Sequence, residues 1–232
     1  MSALLLPGIQ SQIGPLQRII AAEYAGQEAS GPMLRTWGNA GPVEIPAFNG
    51  PESTADGPGG LSARVAVGSD GQLFRASTTL FDLHSGPVEV WARINSTSVV
   101  ASLGVYDDGG ASEWGQWLFA PHSGSVRFYY KDESGDISRA DFDGVSYTSW
   151  QRYYVEHSGG ILRRRIGSTE MTSVTDLAPA TSATLGSQPG ASNTTTVRVA
   201  IVRKYTRPLT ASEHAHMLAN PTMARNLRGA NP

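Results

Sequence analysis

With 232 residues and no cysteine, the chain is long enough to bury a sizeable core but has no disulfide framework or thiolate chemistry to draw on. Only 16% of its residues are charged and the net charge is −2, so it presents no broad attraction for nucleic acid or an anionic membrane. No apolar run approaches the ~20 residues needed to span a bilayer.

The N-terminal zone, residues 1–47, reads as an arm. Leu4, Leu5 and Leu6 form an apolar triplet that Pro7 cuts short, without the basic stretch of a secretory signal. Pro15 suits a first helical position, and Leu16, Ile19, Ile20 and Tyr24 recur at helical spacing, which predicts a short helix from Pro15 to Ala25. The triplet and this helical face offer anchors for a neighbouring subunit or for the chain's own domain.

Residues 48–220 follow a period of two. Leu61, Ala63, Val65 and Val67 alternate with polar or small neighbours, as do Val88, Val90, Ala92 and Ile94. Leu103 and Val105, then Val126, Phe128 and Tyr130, then Val197, Val199 and Ile201 repeat the pattern. Asp107-Asp108-Gly109-Gly110, His122-Ser123-Gly124, Asp132-Glu133-Ser134-Gly135 and Ser158-Gly159-Gly160 supply short turns. Nothing between the strands is long enough for a helical crossover, so two antiparallel sheets packed face to face are expected. Thr210 and Glu213 then spell a capping box, Pro221 a stop, and Ala211, Ala215 and Leu218 share one helical face. Residues 221–232 read as a tail.

The order of these pieces resembles the concanavalin A-like, laminin G-like jelly-roll family over residues 48–218. Phe48-Asn49-Gly50 is similar to its opening, Pro87 to Ile94 to an early strand, and Trp150 to Val155 to the strand that follows a turn. Leu162 to Gly167 stands at the family's hairpin strand, although it is arginine-rich here, and Leu185-Gly186 is similar to a later strand start. The run from Val199 to Glu213 resembles the closing strand, turn and helix, and is the most specific of these matches. The resemblance implies an all-β, antiparallel two-sheet jelly-roll sandwich with an N-terminal arm and a short C-terminal helix. Where the family often carries Gly-x-Ile-Asp, this chain has Thr194-Thr195-Thr196-Val197, so the carboxylate that would favour calcium is missing.

Catalysis finds little to work with. A glycosidase needs two carboxylates flanking the scissile bond. Glu89 stands alone on its strand, and Asp132, Glu133 and Asp136 cluster in a turn. No Gly-x-Ser-x-Gly elbow marks a serine nucleophile. His214 and His216 are two apart on a helix, face different directions, and read as surface residues. Asp107 and Asp108 have oxygen ligands of the kind Ca²⁺ takes, but an isolated pair lacks the fuller set, so neither metal nor cofactor is expected. The run Arg163-Arg164-Arg165 reads as a solvated edge strand.

Aromatic residues give the best binding hint. Tyr106 and Trp114 bracket a loop carrying Asp107, Asp108 and Glu113, the mix of flat faces and polar groups that suits a sugar. The expectation is a non-enzymatic binding protein, one reading being a virion component of a bacteriophage (capsid decoration, head fibre or tail) made in the host cytoplasm. Its expected partners are other virion subunits or further copies of itself, and cell-surface glycans. The alternative is a free carbohydrate-binding module of cellular origin.

Overall fold

The computed structural model describes residues 19–25, 35–36, 52–54, 57–61, 63–66, 72–76, 81–95, 102–106, 114–180, 183–186 and 197–221. They form two antiparallel sheets and one α-helix, as the period-two pattern requires. The nine-stranded sheet runs β13 (Thr169–Val174), β12 (Ile161–Ile166), β11 (Gln151–Ser158), β6 (Val88–Ile94), β15 (Val197–Tyr205), β1 (Ile20–Ala25) and β2 (Arg35–Thr36). The free edge of β15 is shared: β1 pairs with its second half and β4 (Ala63–Ala66), itself paired with β3 (Glu52–Thr54), with its first. The six-stranded sheet runs β10 (Ile137–Phe142), β9 (Ser125–Lys131), β8 (Trp114–His122), β7 (Leu103–Tyr106), β14 (Ala183–Gly186) and β5 (Gln72–Ala76).

The layer between the sheets is the main core. Val88, Val90, Ala92 and Ile94 of β6 meet Trp117 and Phe119 of β8 and Val126, Phe128 and Tyr130 of β9 there. Phe119 is its hub, with ring centroids 4.7 Å from Phe128, 5.0 Å from Tyr153 and 6.2 Å from Phe142. The turns fall where expected among the described residues. The β8–β9 link puts Ser123 at φ 48° and Gly124 at φ 83°, and β11–β12 puts Gly159 at 59° and Gly160 at 71°. Both are two-residue hairpins with positive φ at each central position, which is why glycine is favoured there.

Four readings are corrected. Ile20–Ala25 is a strand on β15, not the second half of a helix, so the sheet reaches into the segment before residue 47. Tertiary pairing overrides the helical spacing, since β15 offers an unpaired edge. Ile201 does not share a face with Val197 and Val199. A bulge between Val199 and Ile201 flips the register, turning Val202 into the core and Ile201 outward against Trp91. The helix α1 (Ala211–Ala219) has the expected capping box but buries His214 and Met217, while Ala211 and Ala215 stay exposed. The strand β12 is not an edge, because β13 pairs along its whole length.

Candidate functional site

Of the residues expected to bind a ligand, Tyr106 and Trp114 are described, and one hairpin pairs them. The strands β7 and β8 pair in register Leu103↔Phe119, Gly104↔Leu118 and Tyr106↔Trp114, with a bulge in between. Tyr106 therefore ends one strand opposite Trp114, which begins the next, and β14 places Thr184 beside Tyr106 on the other flank. Asp107, Asp108 and Glu113 lie in the 107–113 link and fall outside the described residues.

The base of this hairpin is firmly held. Trp117 is buried in the core. Gln116, also buried, ties three segments together: its carbonyl accepts from the Leu83 N–H at 2.9 Å, and its amide donates to Asp82 Oδ1 at 2.8 Å and to the Ala178 carbonyl at 2.8 Å. Asp82 caps the short 3-10 turn Leu83–Ser85 by accepting from the His84 N–H. Burial alone would raise its carboxyl, but the bonds from His84 and Gln116 outweigh that and hold it low. A loop on such a base can differ in its tip without disturbing the sheet beneath.

Among the described carboxylates, Glu89, Glu156 and Asp132 are engaged in structural bonds. Glu89 is fully buried on the outer face of β6, where Oε2 accepts from Arg152 Nε at 2.8 Å and Tyr205 Oη at 2.9 Å. Its Oε1 accepts from Arg203 Nη1 at 2.6 Å and Trp91 Nε1 at 3.2 Å. Burial pushes its carboxyl up, yet the charges of Arg152 and Arg203 overcome this and bring it down to about 2. It carries no proton to give at neutral pH and cannot serve as a general acid. Glu156 accepts from Tyr154 Oη at 2.6 Å and from Arg163 at 3.0 Å. Asp132 Oδ1 accepts from the Ser134 and Asp136 N–H groups and so builds its turn.

His214 is no surface residue. It sits on the buried face of α1, its ring 4.5 Å from that of Tyr154 and edge-on, with Nδ1 3.1 Å from Arg152 Nη1. Burial, then the nearby guanidinium, push its pKa down to about 3, so the imidazole is neutral and Nδ1 is the acceptor. Arg203 donates to the Pro221 carbonyl at 2.6 Å, which fastens the end of the helix as well. Single-strand alternation missed this cluster because it reads every second residue as facing water. A signal was present: Arg152-Tyr153-Tyr154 and Arg203-Lys204-Tyr205 place Arg-x-Tyr on both strands that flank Glu89.

The proposed anchors divide. Ile19 and Ile20 are buried against Tyr154, Tyr205, Leu209 and Met217 of the same chain, so their apolar surface is already covered. Tyr24 occupies a β1 position opposite Val202. Leu4, Leu5, Leu6 and Leu16 fall outside the described residues. Among the described residues no three His, Asp or Glu side chains gather to hold a metal ion, and no helix is long and apolar enough to cross a membrane.

No family model matches the chain, and neither does any curated protein. Solved structures do. The binding domain of Paraclostridial Mosquitocidal Protein 1 superposes with a TM-score of 0.63 at 9% identity, over 88% of this chain. The ligand binding domain of botulinum neurotoxin serotype D, solved in complex with N-acetylneuraminic acid, superposes with a TM-score of 0.66 at 8% identity, over 90% of this chain. The receptor binding domain of botulinum neurotoxin mosaic serotype C/D gives 0.61 at 9%. The chain spans about half the length of each, 52% of the first two and 51% of the third. At such identities the likeness shows the fold, a β-sandwich of two antiparallel sheets, and nothing finer.

Proposed function

We propose that this chain is a non-enzymatic binding module that engages a glycan with the β7–β8 hairpin. The observation that carries the reading is the register of Tyr106 against Trp114 at the end of a hairpin whose base is locked by buried Gln116 and Trp117. Two aromatic residues at that position supply stacking surface, and Asp107, Asp108 and Glu113 supply acceptors for sugar hydroxyls. The use of this fold in domains described as receptor- or ligand-binding supports the reading. So does the engagement of Glu89, Glu156 and Asp132 in structural bonds, which removes the obvious acid and base candidates.

The test is a glycan array followed by titration of any hit. Trp114→Ala is expected to weaken binding by roughly tenfold or more, as loss of an aromatic anchor does, with the melting temperature unchanged. A chain that binds no glycan, or a variant that binds as well as the parent, contradicts the proposal.

The finer reading sets this module on a phage particle, anchored through the segment that holds Leu4, Leu5, Leu6 and Leu16. A chain free of cysteine suits a protein made in the cytoplasm and released by lysis. Since β1 belongs to the sheet, the informative truncation removes residues 1–18 and not 1–47. Light scattering should then show a closed oligomer of the full chain falling to a folded monomer. A full chain that is already a monomer contradicts this reading and leaves the glycan proposal standing.

A further inference from the structure

Among the described residues of the nine-stranded sheet, three arginines are buried to 3% exposure or less, and two of them meet an acid. Arg152 and Arg203 share Glu89 on the outer face. Arg164 of β12 points the other way, into the space between the sheets, where its guanidinium lies 5.5 Å from the Phe128 ring and 5.9 Å from the Tyr130 ring. Among the described residues no carboxylate reaches it. Its hydrogen bonds both leave from Nη1, to Ser173 Oγ at 2.8 Å and to the Leu162 carbonyl at 3.5 Å. Its Nε is buried without a partner.

A guanidinium offers two forks. With Nη1 occupied, the free one is the Nε–Nη2 edge, whose two parallel N–H groups match the oxygens of a carboxylate. A buried charge left without a counter-ion is costly, which is the usual mark of a place where a ligand supplies one. The aromatic faces of Phe128 and Tyr130 stabilise the cation but accept no hydrogen bond from Nε.

The strands around Arg164 are the edges of the two sheets. The strands β13 and β10 are the outermost strands on this side of the two sheets and do not pair with each other. Ser173 and Met171 of β13, and Ser138 and Ala140 of β10, are only partly buried. Ser138 and Ala140 pair with Tyr130 and Phe128 and so share their inward face. Ser173, Ser138 and Ala140 are small, and Met171, the β13 partner of Arg164, packs against the core, so the gap between the edge strands, the mouth, is bordered mainly by small side chains. One end of the mouth is closed where the chain crosses between sheets, with Ala178 N–H donating to the Lys131 carbonyl and Glu133 N–H to that of Asp176.

We propose that Arg164 is an oxyanion-binding residue. The Nε–Nη2 edge of its guanidinium takes a carboxylate group in the mouth between β10 and β13, and the Ser173 hydroxyl, already an acceptor from Nη1, donates its proton to the same group. The site lies on different strands from the β7–β8 hairpin and does not depend on it. An acidic sugar or an acidic peptide end would carry the required chemistry.

The experiment is a titration of the full-length chain, followed by the ¹⁵N–¹H signals of arginine Nε. Sodium acetate, sulfate and phosphate are added in turn against sodium chloride at equal ionic strength. One Nε signal, absent from Arg164→Met, should shift and saturate with acetate and not with chloride. Saturation by sulfate and phosphate as well identifies a general oxyanion site. Arg164→Lys keeps the charge but loses the fork, and should weaken acetate binding by roughly tenfold. Ser173→Ala should weaken it less. The proposal is overturned if no oxyanion gives a saturable shift of that signal. It is overturned equally if acetate raises the melting temperature of Arg164→Met as much as that of the parent.

Discussion

The two sheets differ in what covers them. The middle of the nine-stranded sheet, along β6, β11 and β15, is closed on both faces. Its inner face packs on the other sheet, and its outer face lies under α1 and the pair Ile19 and Ile20. The charged groups on that outer face answer one another, Glu89 with Arg152 and Arg203, and Glu156 with Tyr154 and Arg163. The six-stranded sheet has no described helix across its outer face, and Arg127 meets Asp141 there in a partly exposed pair. Polar groups beneath α1 serve the fold, and those proposed to meet a partner lie at the β7–β8 hairpin and along the gap between β10 and β13. Richness in charge is thus a poor guide to a site, because the densest ionic cluster among the described residues is a sealed one.

The comparison can be broken most forcefully at Glu89. Glu89→Gln leaves two guanidinium groups buried against a neutral amide and should cost about 3–5 kcal/mol of stability. Chemical denaturation measures it, and glycan binding by whatever folded protein remains should not change. Joint replacement of Glu89, Arg152 and Arg203 by apolar residues should cost far less, because no unpaired charge is left behind.

Acid sharpens the same contrast. The folded pKa of His214 lies near 3 against 6.5 for a free imidazole, so the unfolded chain takes up this proton first. Stability should begin to fall below pH 6.5, by up to about 1.4 kcal/mol per pH unit. Glu89, folded near 2 against 4.5, adds its own loss between those values as pH drops. His214→Gln should remove the loss above pH 4.5 and leave below it only the part that belongs to Glu89. A melting-temperature profile from pH 8 to pH 3 tests this, and an unchanged profile in the variant would assign the early loss to another group. The smallest effect belongs to the cap of the covering helix: Thr210→Ala should cost about 1 kcal/mol, read by thermal melting.

Much of the sandwich was legible from alternation, because a strand with one buried face advertises it at every second position. Val88 to Ile94 and Val126 to Tyr130 are found where the pattern puts them, and the Thr210–Glu213 cap was written in the letters themselves. Three kinds of physics hid the rest. The bulge at β15 slipped the register by one residue and sent Ile201 to the opposite face. The pairing of Ile20–Ala25 with β15 joins segments nearly the whole chain apart, which no local window contains. The lid formed by α1 turned an outward, polar-looking row of Glu89, Arg152 and Arg203 into a buried one. Of the candidate site, the nearness of Tyr106 and Trp114 about one loop was legible, although Trp114 reads as a loop residue and in fact begins β8. Arg164 was not legible, because a triple-arginine run reads as solvated until the facing sheet is in place.

The contrast between the sealed face beneath α1 and the hairpin proposed to bind is tested most directly by hydrogen exchange of the backbone amides with and without a glycan from the array. New protection confined to the β7–β8 hairpin and the adjoining β14 is the predicted result. Protection gained beneath α1, along β6, β11 and β15, with the hairpin unchanged, would contradict it.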